Sequence, residues 1–352
     1  MRNVRSPIAD NMRVTRREFL RTSALLSASA GSMALLSACG VSPIPPGAQA
    51  SALETTTVRL VQATSVCLAP QYLAEDFLKK DGFTDVQYTK ISPAGIIGGL
   101  ATGEADMSMT FAPVLVRRLD AGDPVVALAG VHVGCFVLFG SEHIDTIYDL
   151  KGSNVAITEI GGSEHAFLST MAAFVGIDPN KDINWITHPV PESKQLFIDG
   201  KLDAFLAFPP IAQELRAKQV GHEVLNSMMD KPWSQYYCCI LAANRDFTQK
   251  NPEATKRVVR SILKATDLCS QEPERAAQLM VDRGFTSNYD YTLDAMKEIP
   301  YGVWRDYDAV DTLRFYALKL RDIGMVKGSP DEIIANGADW HFLNELKAEL
   351  KG

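Results

Sequence analysis

Six cysteines and six histidines are the side chains of this 352-residue chain best suited to covalent or metal chemistry. Cys39 ends the tetrapeptide Leu36-Ser37-Ala38-Cys39, which closes a weakly apolar run behind the paired Arg16-Arg17. A thiol in that position is set up for acylation by lipid once the leader before it is cleaved, and the arginine pair marks export by the twin-arginine route. The other five, Cys67, Cys135, Cys238, Cys239 and Cys269, are odd in number and irregular in spacing. They read as small buried hydrophobes rather than a disulfide frame. Cys238-Cys239 is not a metal signature, because neighbours on a strand face opposite ways. His165 lies two positions from Ser163, a spacing at which helical side chains do not meet, so a hydrolytic pair is not expected. HExxH, GxSxG and P-loop patterns do not occur. No catalytic residue, metal ligand or cofactor is expected.

The elements that position the remaining residues begin after the leader. Residues 1–38 read as a twin-arginine lipoprotein signal peptide, its apolar run too short for a stable span. Residues 39–57, rich in proline and small residues, read as a tether. The net charge is −7 and the leader is basic, so the body is more acidic still, which argues against a nucleic-acid partner. No later apolar stretch reaches the ~18 residues of a membrane span.

The body contains a faint duplication at an offset of 97 positions (for example, Gly103 onto Gly200). Val58 falls on Val155, Phe77 on Phe174, Asp85 on Asp182, Asp106 on Asp203, Phe111 on Phe208 and Pro113 on Pro210. Each copy reads strand, helix, strand, helix, strand, then a Phe-x-Pro turn into another helix. Alternation of this kind implies mainly parallel sheets with helices on their faces. Ser163 is expected to cap the helix that carries Phe167, Met171 and Phe174. Gly103 and Gly200 are expected at helix C-termini.

Two extended apolar runs, Gly130–Gly140 and Tyr236–Ala242, are expected to cross between two lobes as a hinge. The expected division is 58–140 with 241–352 as lobe one, and 141–240 as lobe two including the hinge. Ligands of open α/β sheets bind beyond the carboxyl ends of the strands. The expected ligand-binding set is therefore Thr64, Ser65, Cys67, Tyr72, Ser92, Phe111, His132, Gly162, Ser163, Glu192, Phe208, Trp233 and Tyr236. Trp233 is the preferred contact, since its neighbours are polar and aromatic faces suit a planar or apolar organic guest.

Gly103-Glu104-Ala105-Asp106, Asp149-Leu150-Lys151-Gly152-Ser153-Asn154-Val155-Ala156, Gly162-Ser163-Glu164-His165 and Gly200-Lys201-Leu202-Asp203-Ala204 together resemble the type-II periplasmic solute-binding proteins of ABC importers. Within them the chain is similar to the nitrate/sulfonate/taurine-binding branch, which has relatives that bind thiamine pyrimidine precursors. The resemblance implies an α/β, type-II periplasmic binding protein fold that closes on a small organic solute or anion. It implies a permease with a separate ATPase as partners, and a periplasmic protein held to the membrane through Cys39. Glu159, Glu164 and Glu192 near the expected rim depart from an anion site, because a carboxylate competes for the positive end of a helix. Two alternatives stand beside importing. One is a pyrimidine-synthesis-type enzyme, against which stands a cysteine pair with no dense Cys/His cluster around it. The other is a sensor that reports occupancy to a membrane receptor.

Overall fold

The computed structural model describes residues 52–90 and 95–350. The leader, Cys39 and Ser92 lie outside the described residues. The strands are β1 (Thr57–Gln62), β2 (Asp85–Lys90), β3 (Met107–Phe111), β4 (Val125–Val133), β5 (Val137–Gly140), β6 (Asn154–Ile157), β7 (Asn184–Thr187), β8 (Ala204–Ala207), β9 (His222–Asn226) and β10 (Tyr237–Asn244). The helices are α1 (Ala69–Leu73), α2 (Glu75–Lys80), α3 (Gly95–Ala101), α4 (Ala112–Asp120), α5 (Ser163–Phe174), α6 (Val190–Ile198), α7 (Ile211–Ala217), α8 (Arg245–Lys250), α9 (Pro252–Gln271), α10 (Pro273–Asp282), α11 (Tyr289–Glu298), α12 (Ala309–Asp322), α13 (Pro330–Gly337) and α14 (His341–Glu349).

The strands form two five-stranded sheets, ordered β2-β1-β3-β10-β4 and β7-β6-β8-β5-β9. In the first, β1 is parallel to β2 and β3, and β10 runs antiparallel between β3 and β4. The second repeats this arrangement, with β5 antiparallel between β8 and β9. The reversed strand of each sheet is the one that has just arrived from the other. This exchange makes the chain cross twice, at 134–136 and 227–236.

Strand β5 therefore pairs in the second sheet and residues 237–240 in the first, so the crossings fall inside the boundaries expected at 140 and 240. The reason is Gly134, which breaks the apolar run at a φ of +44°. A Cβ there would lie 2.5 Å from the Ser227 carbonyl oxygen of the other crossing, so only glycine lets the two crossings touch.

The duplication has a physical counterpart. The Asp106 amide donates to the Arg59 carbonyl at 2.8 Å, and its carboxylate accepts the Arg59 amide at 2.7 Å. Asp203 does the same to Asn154, at 3.0 and 2.7 Å. Each aspartate thus clamps the first strand of its sheet to the third. Gly103 and Gly200 follow helices at φ of +74° and +69°, as expected.

One local expectation is corrected. Gly162, not Ser163, is the N-cap of α5, and Ser163 is its first helical residue, without a capping hydrogen bond. The chain there folds back on Glu159, and a Cβ on Gly162 would meet that side chain at 2.8 Å. Phe167 and Met171 are buried as expected, whereas Phe174 is half exposed. The two halves do not stand apart. One apolar core runs from β1 and β4 through Phe136 and Trp233 to Phe167 and Leu206 of the second half.

Candidate functional site

Where the halves meet, β3 ends in Phe111 and β8 is followed by Phe208. Both rings pack on Phe136 of the first crossing, at 4.9 and 6.5 Å between centroids. Phe167 from α5 meets Phe111 edge-on at 5.2 Å and Phe136 at a tilt at 5.5 Å. Trp233, on the second crossing, stands edge-on to Phe167, Phe174 and Phe315 at 5.4 to 5.7 Å. Tyr236 lies flat on Phe315 at 3.9 Å. Rings from both sheets, both crossings and α12 therefore make one cluster. Each such pair adds about 0.5–1.5 kcal/mol beyond the area it buries.

Beside the rings lies a cluster of thiols. Cys67 follows β1, His132 is near the end of β4, Cys135 is in the first crossing, and Cys238 and Cys239 open β10; all five are buried. The sulfurs of Cys135 and Cys238 are 3.0 Å apart. Cys67, His132 and Cys239 bring their ligand atoms within 4.8 Å of one another. This corrects two expectations: that Cys238-Cys239 has no Cys/His cluster around it, and that the two must face apart. The reason is a bulge. Tyr237 pairs with Val133 and Cys239 with His132, so Cys238 is an extra residue on β10. At a bulge the strict alternation of faces fails.

Hydrogen bonds from Cys135, then Cys238 and Cys67, hold the Cys239 thiol well below its ordinary range against the opposing effect of burial. Burial opposes charge on His132, but the negative charge of Cys239 outweighs it and holds the imidazole well above its usual value. Burial pushes Cys135 and Cys238 up. Among these buried groups the surroundings favour charge on Cys239 and His132 and oppose it on Cys135 and Cys238.

Two contacts join the halves away from the crossings. Arg117 of α4 donates to the Gly161 carbonyl, while the Gly161 amide donates to His165 Nδ1 at 2.9 Å. Gly161 sits at φ +83°, and a Cβ there would come within 2.8 Å of the Arg117 guanidinium. On the other side Arg216 of α7 reaches both carboxylate oxygens of Glu298 on α11, at 2.6 and 2.7 Å, and Gln213 donates to the same carboxylate at 3.0 Å. The arrangement is a closed one.

The expected site residues divide accordingly. Cys67, Phe111, His132, Phe208, Trp233 and Tyr236 converge on the junction, and Gly162 and Ser163 open α5 beside the Arg117 contact. Thr64 is exposed and Ser65 half-buried in the loop after β1, where Ser65 Oγ is 3.0 Å from Cys67 Sγ. Tyr72 is not at the junction. Its ring packs on Tyr88 and Phe285, and its hydroxyl is bonded to the Ala63 backbone, which fixes that loop from the core side. Glu192 is exposed and pairs with His188 at 3.0 Å, and Glu164 accepts from Thr158 at 2.9 Å. Cys135 and Cys238 were not among the expected contacts, and Phe136 and Phe167 were missed. Cys135, Phe136 and Cys238 lie in or next to a crossing, which was their signal, whereas Phe167 lies inside α5 and was legible only as part of its apolar stripe.

Comparison with known proteins places these features. The sequence profile described as NMT1/THI5 like matches residues 68–276. The bicarbonate-binding protein CmpA of Synechococcus elongatus is 26% identical over 327 residues, covering 77% of this chain and 69% of that protein. The 4-amino-5-hydroxymethyl-2-methylpyrimidine phosphate synthase THI5 of Saccharomyces cerevisiae is 24% identical over 231 residues, covering 60% of this chain and 66% of that enzyme. Among solved structures, the periplasmic nitrate-binding protein NrtA from Synechocystis superposes with a TM-score of 0.72 at 18% identity, covering 86% of this chain and 90% of that one.

Proposed function

The chain belongs to the NMT1/THI5-like family, and from that premise we propose that it is the extracytoplasmic solute-capturing component of an ABC importer. The observation that carries the reading is the exchange of β5 and β10. Two similar sheets whose chain connections are two adjacent crossings can swing about those crossings, and the strand ends meet where a guest would be enclosed. The names of its relatives, which bind bicarbonate and nitrate, support a small solute as the guest. The ring-rich junction adds a preference for a planar organic solute or anion.

In this reading the closed form docks on a permease driven by a separate ATPase, and the chain itself does no chemistry. Export by the paired-arginine leader would place it in the periplasm, tethered by lipid on Cys39. Among the described residues no helix is long and apolar enough to cross a membrane. Isothermal titration and melting curves against a panel of bicarbonate, nitrate, sulfonates, amines and pyrimidines test the reading. Stoichiometric binding without consumption is expected. Turnover of any of them, or no response to all of them, would overturn it.

A further inference from the structure

We infer that Cys67, His132 and Cys239 form a binding site for one thiophilic metal ion of the Zn(II) class. The three ligands come from three separate segments, the turn after β1, the end of β4 and the start of β10, and the fold alone brings them together. Ligand atoms around a tetrahedral Zn(II), at about 2.3 Å for sulfur and 2.0–2.1 Å for nitrogen, lie roughly 3.5–4 Å apart. The three atoms here are already within 4.8 Å, so rotations that move each by less than about 1 Å complete the set.

His132 supplies the second, independent observation. It is fully buried, and its Nδ1–H donates to the Val133 carbonyl at 3.2 Å. Its Nε2 has no hydrogen-bond partner. A metal-ligating histidine is usually held in this way, by a carbonyl at one ring nitrogen with the other nitrogen left for the ion. An unsatisfied buried nitrogen is costly, and a ligated ion would remove that cost.

Two sulfurs and one imidazole are a soft donor set, unsuited to Mg(II) or Ca(II). On binding, the ion takes the places of the protons on the ligating sulfurs and on Nε2, and those protons pass to solvent. The site needs no oxidant or reductant and does not rest on the importer reading.

The test uses the full chain, reduced and stripped by a chelator, titrated with Co(II) and then Zn(II). One equivalent of Co(II) should give a thiolate-to-metal charge-transfer band that Zn(II) abolishes. Cys67→Ser, Cys239→Ser and His132→Gln should each weaken binding at least tenfold, and Cys269→Ser, whose thiol is buried outside the cluster, should leave it unchanged. Circular dichroism checks folding of each variant. X-ray absorption on the wild-type Zn(II) form keeps the test independent of the variants and should show sulfur and nitrogen in the first shell. A shell without sulfur, no charge-transfer band in the folded reduced protein, or wild-type affinity in the folded Cys67→Ser and Cys239→Ser chains would overturn the site.

Discussion

Ser227 on the second crossing is tied to Phe136 on the first in both directions. The Ser227 amide and hydroxyl donate to the Phe136 carbonyl at 2.9 and 2.8 Å, and the Phe136 amide donates to Ser227 Oγ at 2.9 Å. The Cys135 amide donates to the same oxygen at 3.2 Å. One buried hydroxyl thus satisfies backbone groups that no sheet can reach, because the chain there has left one ladder and not yet joined the next. Ser227→Ala strands both amides, and stability in urea should fall by about 1–3 kcal/mol. A loss below about 0.5 kcal/mol would show that water takes over the role.

The Arg216–Glu298 contact joins the halves but is partly open to solvent on both sides. Exposed pairs contribute only about 0–1 kcal/mol. Glu298→Gln should therefore leave the melting temperature nearly unchanged while increasing the solute-free radius of gyration by small-angle scattering. An unchanged radius would mean that this pair does not restrain opening.

His165 links acidity to the other closure contact. Burial, then the charge of Arg117, lowers its pKa to about 4, so Nδ1 stays free to accept the Gly161 amide. Above about pH 6.5 both folded and unfolded states are neutral and this residue adds no pH dependence. Between about 6.5 and 4 only the unfolded state takes the proton, so stability falls as pH falls, by about 1–3 kcal/mol in all, and the loss levels off below about 4. His165→Gln should flatten denaturation curves measured across that window. An unaltered slope would separate His165 from the acid response.

Trp233 is 2% exposed and meets the rings of Phe167, Phe174 and Phe315, so truncating it removes packing at the crossing. Trp233→Ala should cost about 3–5 kcal/mol, in the range for large core truncations. A cost under about 1 kcal/mol would return the ring to the role of ligand contact expected from its polar neighbours.

Cys39→Ala should move the protein from the membrane fraction to the soluble periplasmic extract. Retention in the membrane would remove the lipid assignment.

Local pattern determined much of this molecule. Alternation of strands and helices, glycines at helix ends and the 97-residue repeat made the two mainly parallel sheets legible, because each depends on periodicity and backbone preference within a few residues. The crossing runs were legible as apolar and extended, and Phe111 and Phe208 as strand-end partners. Which sheet β5 and β10 join was decided only in three dimensions, since Gly134 breaks the run at a close approach to Ser227, 93 positions away in the chain. The thiol cluster was invisible for the same reason. A bulge on β10 turned Cys238 and Cys239 toward residues from three distant segments, and no spacing in one dimension encodes a meeting that depends on how one strand pairs with another.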